Sequence, residues 1–233
     1  MQRIIQRDKS IIPACDFPYD KLLDVLESTF DIEEIGGYKI PAISGRVGWE
    51  KWVNTIRGYT DKPLIYDHQK AGTDIPDTAT TFMKEIKSAG FDAIILFPLS
   101  GPKTQEAWIK AAQDSGLGVI VGGEMTHKGF KASEGGYIND FKIDDIYYVA
   151  ADLGVTDFVV PGNRLDSIER IKKIVDSSVK GDSVFYAPGF IAQSGEITEA
   201  GKAVGERFHA IVGRGIYQAE NMMQVTLDLT SKL

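Results

Sequence analysis

Residues 93–124 read AIILFPLSGPKTQEAWIKAAQDSGLGVIVGGE and contain two short apolar runs separated by one amphipathic stretch. The runs Ala93–Pro98 and Gly118–Glu124 are short, apolar and partly β-branched, which predicts two buried strands. Between them, Lys103–Ser115 has the apolar spacing of a helix. A strand, a helix and a second strand in this order return the chain to the same end of a sheet, so this stretch predicts two parallel strands.

The same alternation of strands and helices extends to both sides of this stretch. The further predicted strands are Ser10–Phe17, Glu34–Ile40, Leu64–Asp67, Asp157–Pro161, Ser183–Ala187 and His209–Val212. Over 233 residues, eight parallel strands fit a closed barrel better than an open sheet. No Gly-x-Gly-x-x-Gly follows the first strand, as a Rossmann fold would require. We therefore predict an α/β fold, a (β/α)8 TIM barrel with eight parallel strands, formed by one domain over residues 1–233.

Composition and charge narrow the possible function classes. The chain is 43% hydrophobic and 25% charged, with a formal net charge of −7, which argues against a surface for nucleic acid or for an anionic membrane. Its one cysteine, Cys15, allows no intrachain disulfide and indicates a reducing compartment. No window approaches the ~18 apolar residues of a membrane span, and residues 1–10 show no signal-peptide pattern. These features predict a cytoplasmic protein.

Polar side chains stand where the predicted strands end. They are Asp16, Lys39, Asp67 with Lys70, Thr126 with His127, Asn163, Gln193 and Arg214. In a barrel of this kind the carboxyl ends of all strands meet on one face, where the catalytic residues lie. We therefore expect these side chains to surround a common site.

The segment after the last predicted strand has the features of a phosphate site. It reads Val212-Gly213-Arg214-Gly215, and the glycines let the backbone approach a ligand closely, while a guanidinium suits phosphate oxygens. The loop after strand seven begins at Pro188 and carries Gln193 as a second donor. Loops in these two places commonly bind phosphate in such barrels. The alternative is a structural turn with Arg214 in a surface ion pair.

Three acids and a lysine surround the end of the third predicted strand, where residues 67–78 read DHQKAGTDIPDT. Asp16 and Lys39 end the two preceding strands, so an alternating network of charges is expected. In such a network each opposite charge favours the charged form of its neighbour, which would keep Lys70 protonated and the carboxylates ionised.

Together these segments resemble the orotidine 5′-monophosphate decarboxylase family over nearly the whole chain. Asp67, Lys70 and residues 74–78 look like that family's Asp-x-Lys-x-x-Asp-Ile-x-x-Thr signature, and Lys39 stands where the family has a lysine on its second strand. Residues 124–129 are similar to its Met-Ser-His-Pro-Gly segment, and residues 188–193 and 212–214 match its two phosphate loops.

The resemblance implies an enzyme that converts orotidine 5′-monophosphate to UMP and carbon dioxide in pyrimidine biosynthesis, with no metal and no cofactor. The catalytic residues that it implies are Lys70, Asp67, Asp74 and Lys39. The residues that it implies for substrate binding are Asp16, Lys39, Thr78, Thr126, Pro188, Gln193, Gly213 and Arg214. It also implies a homodimer in which Asp74 and Thr78 reach the neighbouring subunit's site.

The resemblance also assigns individual roles. Lys70 would protonate C6 as carbon dioxide leaves, and Asp67 would lie against the substrate carboxylate. Thr126 and the region of Pro188 would contact the pyrimidine, while Arg214, with Gln193 and Gly213, would hold the phosphate.

This chain departs from the family signature by one extra residue in each of its two gaps. On a regular strand, residues three apart do not share a face, so Lys70 can join Asp67 only if the chain bulges near His68 or the strand has already ended. On such a strand His68 would face away from Asp67. Thr126 replaces a serine and keeps the hydroxyl, and Lys128 replaces a proline.

Two alternatives remain open at this point. One is a Mg2+-dependent enzyme of the same superfamily, similar to hexulose-phosphate synthase or keto-gulonate-phosphate decarboxylase, with Glu34 and Asp67 as metal ligands. Against it, Lys39 stands at the mouth end of the strand that carries Glu34 and would repel a metal. The other is a barrel that binds a nucleotide phosphate without catalysis.

Overall fold

Eight parallel strands form the centre of the computed structural model, which describes residues 3–68, 74–179, 183–190 and 195–233. The strands are β1 (Lys9–Pro13), β2 (Tyr38–Pro41), β3 (Leu64–Asp67), β4 (Ala93–Leu96), β5 (Gly118–Gly122), β6 (Asp157–Val159), β7 (Val184–Pro188) and β8 (Phe208–Val212). Each observed strand lies inside the range predicted for it or extends beyond that range by one residue. Short apolar runs bounded by turn residues mark buried strands clearly.

The sheet closes on itself. Its strand order is β1-β8-β7-β6-β5-β4-β3-β2, and β1 and β2 are joined by backbone hydrogen bonds. The amide of Ile11 donates to the carbonyl of Glu34 at 2.9 Å, and the amide of Cys15 donates to the carbonyl of Lys39 at 2.8 Å. The predicted (β/α)8 barrel is therefore confirmed.

Helices follow the strands and cover the outside of the barrel. The α-helices of the described residues are α1 (Leu22–Thr29), α2 (Trp49–Arg57), α3 (Ala79–Ser88), α4 (Pro102–Asp114), α5 (Ile143–Asp152), α6 (Leu165–Val179), α7 (Gly195–Val204), α8 (Arg214–Tyr217) and α9 (Met222–Thr230). In the described parts of the chain, none of these helices is both long enough and apolar enough to cross a bilayer.

The alternation of side chains along each strand decides which groups enter the barrel. In β3, Ile65 belongs to the cluster that fills the interior, whereas Leu64 and Tyr66 pack with the surrounding helices. Side chains two apart share a face, so Asp67 follows Ile65 into the interior. His68, the next residue, packs on the rings of Tyr66, Phe82 and Trp108, in the helix layer. The expectation that His68 faces away from Asp67 is confirmed.

Candidate active site

A cavity of about 990 Å³ opens at the carboxyl ends of the strands. Eight of the residues predicted from the sequence to form the site line it: Asp16, Lys39, Thr126, His127, Asn163, Pro188, Gly213 and Arg214. These residues lie at the ends of six different strands, β1, β2, β5, β6, β7 and β8, or in the connections that follow them. Only a closed parallel barrel brings such distant positions to one opening.

A lysine between two carboxylates forms the charged centre of this cavity. The ammonium of Lys39 lies 2.5 Å from Oδ2 of Asp67 and 3.2 Å from Oδ1 of Asp16. Lys39 and Asp67 are buried, whereas the side chain of Asp16 is 30% exposed. The ammonium that the described residues place against Asp67 thus comes from β2. Lys70, the predicted proton donor, lies outside the described residues.

The environment of Lys39 keeps it charged. Burial alone would lower the pKa of its ammonium, but the carboxylates of Asp67 and Asp16 outweigh burial, and the pKa of Lys39 lies above its ordinary value. A group with this shift remains protonated at every pH at which the fold is commonly studied. The site therefore presents a permanent ammonium to whatever enters the cavity.

The end of β8, which neighbours β1 in the barrel, carries the predicted phosphate site. β8 ends at Val212, and the single turn of α8 begins at Arg214 directly after Gly213. Arg214 is exposed at the mouth of the cavity, next to Tyr217. Gln193, the second predicted phosphate contact, lies outside the described residues.

The loops after β5 and β7 fit against each other at Thr126. Gly189 has a φ of +108°, and a Cβ atom placed on it would lie 2.8 Å from Cγ2 of Thr126. Any side chain at position 189 would therefore be strained by its backbone and would displace Thr126. Asn163 adds a further link, because its amide nitrogen donates to the carbonyl of Thr126 at 3.2 Å.

A buried carboxylate network that was not predicted from the sequence holds the loop after β5. Glu124 is fully buried and accepts hydrogen bonds from Ser167 at 2.8 Å and from Lys131 at 2.9 Å, and Arg170 also donates to it. Arg164 donates to the carbonyl of His127 at 2.8 Å. A strand-end glutamate is visible in the sequence, but α5 and β6 separate it from its partners Ser167 and Arg170.

Asp74 and Thr78 lie away from the residues that line this cavity. The carboxylate of Asp74 bonds to the imidazole of His68, with 2.5 Å between Oδ2 and Nε2. Thr78 is exposed, and its hydroxyl donates to the carbonyl of Ile75 at 3.0 Å. The barrel of one chain therefore does not bring these two residues to Lys39.

The metal site of the Mg2+-dependent alternative is not assembled by the described residues. Glu34 pairs through its backbone with Ile11, near the middle of β1, whereas Asp67 ends β3 and binds Lys39. Among the residues that the structure describes, no three His, Cys, Asp or Glu side chains are grouped to hold a metal ion.

Comparison with known proteins points to the same class of protein. Residues 21–228 match the model of the orotidine 5′-phosphate decarboxylase / HUMPS family. A relative from Pyrococcus abyssi named orotidine 5′-phosphate decarboxylase is 28% identical over 224 residues, which cover 96% of this chain and 98% of the relative. A relative of the same name from Methanosarcina mazei is 29% identical over 172 residues, 73% of this chain and 72% of the relative.

Solved structures show the same architecture. The chain is similar to orotidine 5′-monophosphate decarboxylase from Methanocaldococcus jannaschii complexed with the inhibitor BMP, with a TM-score of 0.81 and 25% identity. The alignment covers 98% of this chain and 99% of that one.

Proposed function

We propose, from the premise that the chain belongs to the orotidine 5′-phosphate decarboxylase / HUMPS family, that it decarboxylates orotidine 5′-monophosphate to UMP and carbon dioxide. The observation that carries this proposal is the buried ion pair of Lys39 with Asp67, in the mouth of the barrel that also carries Arg214. The ion pair would face the reacting base of a nucleotide, and the guanidinium of Arg214 would hold its phosphate.

The reaction needs strong electrostatic stabilisation. When the bond between C6 and the carboxylate breaks, its electron pair stays on C6, with no carbonyl positioned to delocalise it. Repulsion between Asp67 and the substrate carboxylate, taken as two charges about 4 Å apart at an effective dielectric near 20, supplies roughly 4 kcal/mol. Enzymes commonly lower barriers by ~8 kcal/mol or more, so this repulsion is too small to drive the reaction.

The larger contribution in this proposal is an ammonium placed beside the developing charge. We assign that role to Lys70, which would also donate the proton that ends on C6. Lys39 and Asp67, already paired in the barrel, would belong to the preorganised charges around it, together with Asp16 and Asp74. No electron sink from a cofactor enters this sequence of steps, and no metal takes part in it.

The remaining substrate contacts in this proposal come from residues at or after the ends of β5, β7 and β8. Arg214 and the backbone of Gly213 would hold the phosphate with Gln193, and binding there would fix the ring against Thr126 and Pro188. We further propose a homodimer in which Asp74 and Thr78 reach the neighbouring site, because neither residue lines the cavity of its own chain. We place the enzyme in the cytoplasm, consistent with its net negative charge and its single, buried cysteine.

The test is a direct assay of the proposed reaction. The purified protein should remove the absorbance of orotidine 5′-monophosphate, and EDTA should leave the rate unchanged. Lys70→Ala should nearly abolish turnover while UMP still binds. A wild-type protein that binds UMP without releasing carbon dioxide would overturn the proposal, and loss of activity in EDTA would favour the Mg2+-dependent enzyme.

A further inference from the structure

His68 occupies an unusual place for a residue beside a catalytic strand end. It follows Asp67 directly, yet its ring stacks on Trp108 with 5.0 Å between centroids and an interplanar angle of 16°. Its side chain is 9% exposed, so it is almost fully enclosed in the layer between β3 and the helices. A polar ring in such a place needs hydrogen-bond partners, since burying an unsatisfied polar group is costly.

Both nitrogens of this ring have a polar neighbour. Nε2 lies 2.5 Å from Oδ2 of Asp74, and Nδ1 lies 3.3 Å from the hydroxyl of Tyr66. A carboxylate only accepts hydrogen bonds, so the proton of the imidazole must be on Nε2. The hydroxyl of Tyr66 can then donate to Nδ1, which selects this tautomer for a neutral ring.

The backbone on the far side of Asp74 is also fixed. The indole nitrogen of Trp108 donates to the carbonyl of Ile75 at 2.9 Å, and the hydroxyl of Thr104 donates to the carbonyl of Asp74 at 3.4 Å. Trp108 thus supports the His68 ring by stacking and holds the chain next to Asp74 by a hydrogen bond. Position 74 is attached to β3 through its side chain and to α4 through its backbone.

We propose that His68 is a positioning residue for the decarboxylation, acting through its hydrogen bond to Asp74. This inference rests on the proposed function. In the sequence, His68 and Asp74 stand on either side of positions 69–73, which include Lys70. The bond from His68 sets the direction of the Asp74 carboxylate, which the proposed function places among the charges around the reacting group.

The size of the effect follows from how sharply such reactions depend on geometry. A displacement of about 1 Å at a reacting group can cost about 100-fold in rate. Because β1 and β2 separate β8, which carries the proposed phosphate contact Arg214, from β3, the same displacement should change nucleotide affinity little. His68 should therefore affect kcat much more than the affinity for UMP.

Two substitutions at the same position separate positioning from packing. His68→Met keeps bulk and apolar contact but removes the donor, and should lower kcat about 100-fold with nearly unchanged UMP affinity. His68→Gln can place an amide N–H near the position of Nε2, and should recover a large part of the lost kcat. The matched control is His209→Gln, which removes another buried histidine at the opposite end of the barrel and should leave kcat unchanged.

The outcomes distinguish this inference from the function on which it rests. If wild-type protein turns over the substrate and His68→Met has the same kcat, the positioning role is wrong while the proposed function stands. If His68→Met and His68→Gln lose activity equally, and in step with UMP affinity and melting temperature, His68 is merely structural and the inference is also wrong. If the wild-type protein shows no decarboxylation, the proposed function itself has failed.

Discussion

The two ends of the barrel interior both bury polar groups, but they treat charge in opposite ways. At the carboxyl end, Lys39 lies between Asp67 and Asp16, and its pKa is raised. At the amino end, Ser10 bonds to Nδ1 of His209 at 2.8 Å, and burial, with the charge of Arg3, lowers the pKa of His209 to about 3. One end therefore holds ionised groups, and the other holds a neutral imidazole.

The difference shows what determines the protonation of a buried group. Burial penalises the charged form at both ends. At the carboxyl end two carboxylates lie close enough to an ammonium to outweigh that penalty, whereas at the amino end the nearest partner of His209 is a neutral hydroxyl. Near His209, Tyr186 donates to Asp157 at 2.8 Å, and burial raises the pKa of Asp157. The charges proposed for the chemistry are thus at the open end, and the amino end holds buried groups whose charged forms are disfavoured.

The largest expected effect comes from removing the ammonium of the charged end. Lys39→Met takes the cation away from the buried carboxylate of Asp67, which should lower the free energy of unfolding by about 3–5 kcal/mol. It should also lower kcat by about 100- to 1000-fold. Urea unfolding and the absorbance assay measure the two effects.

A double variant provides the control for this prediction. Lys39→Met combined with Asp67→Leu should recover much of the stability, because no carboxylate then remains at position 67, but it should not recover activity. A single variant as stable as the wild type would mean that the ion pair does not balance the cost of burying Asp67.

The neutral imidazole of His209 should affect how the free energy of unfolding depends on pH. His209 has a folded pKa of about 3 and an unfolded pKa of about 6.5, so the unfolded chain alone takes up this proton between those values. Its contribution to stability is complete above about pH 6.5 and is lost as the pH falls toward 3, at up to about 1.4 kcal/mol per pH unit. His209→Gln should therefore show a shallower fall in unfolding free energy between about pH 7 and pH 4.

Comparison of the wild type with His209→Gln separates the effect of His209 from the effects of the other titrating groups. Asp157, with its raised pKa, changes stability in the opposite direction as the pH falls, but it does so in both proteins. Parallel pH curves for the wild type and His209→Gln would show that His209 is not held neutral by the fold.

The smallest of these effects concerns the phosphate site. Arg214→Ala should weaken UMP binding by about 10- to 100-fold, as expected from a loss of about 1.5–3 kcal/mol for a hydrogen bond to a charged group. Because Arg214 is exposed, the melting temperature should not change. Lys103→Ala, which removes an exposed cation from α4, should leave the affinity measured by calorimetry unchanged. If the wild type, Arg214→Ala and Lys103→Ala bind UMP with equal affinity, the phosphate does not bind at Arg214.

Much of the site could be predicted because a parallel barrel converts sequence order into spatial order. Once Asp16, Lys39 and Asp67 were recognised as the ends of consecutive strands, their proximity followed from the architecture, and the structure joins all three through Lys39. The roles assigned to Lys70 and Gln193, and the single domain over residues 1–233, stay predictions.

The sequence by itself determined the strands, the parallel barrel and the strand ends at which polar residues meet, because these depend on local periodicity and on the rule that crossovers return the chain to one end. Only the tertiary structure decided which groups touch. It paired Asp67 with Lys39, turned His68 outward to Asp74, and paired Glu124 with Arg170 of α6. The physical reason is that an ion pair depends on distances of a few ångströms between side chains, and those distances are set by how strands and helices pack rather than by positions along the chain.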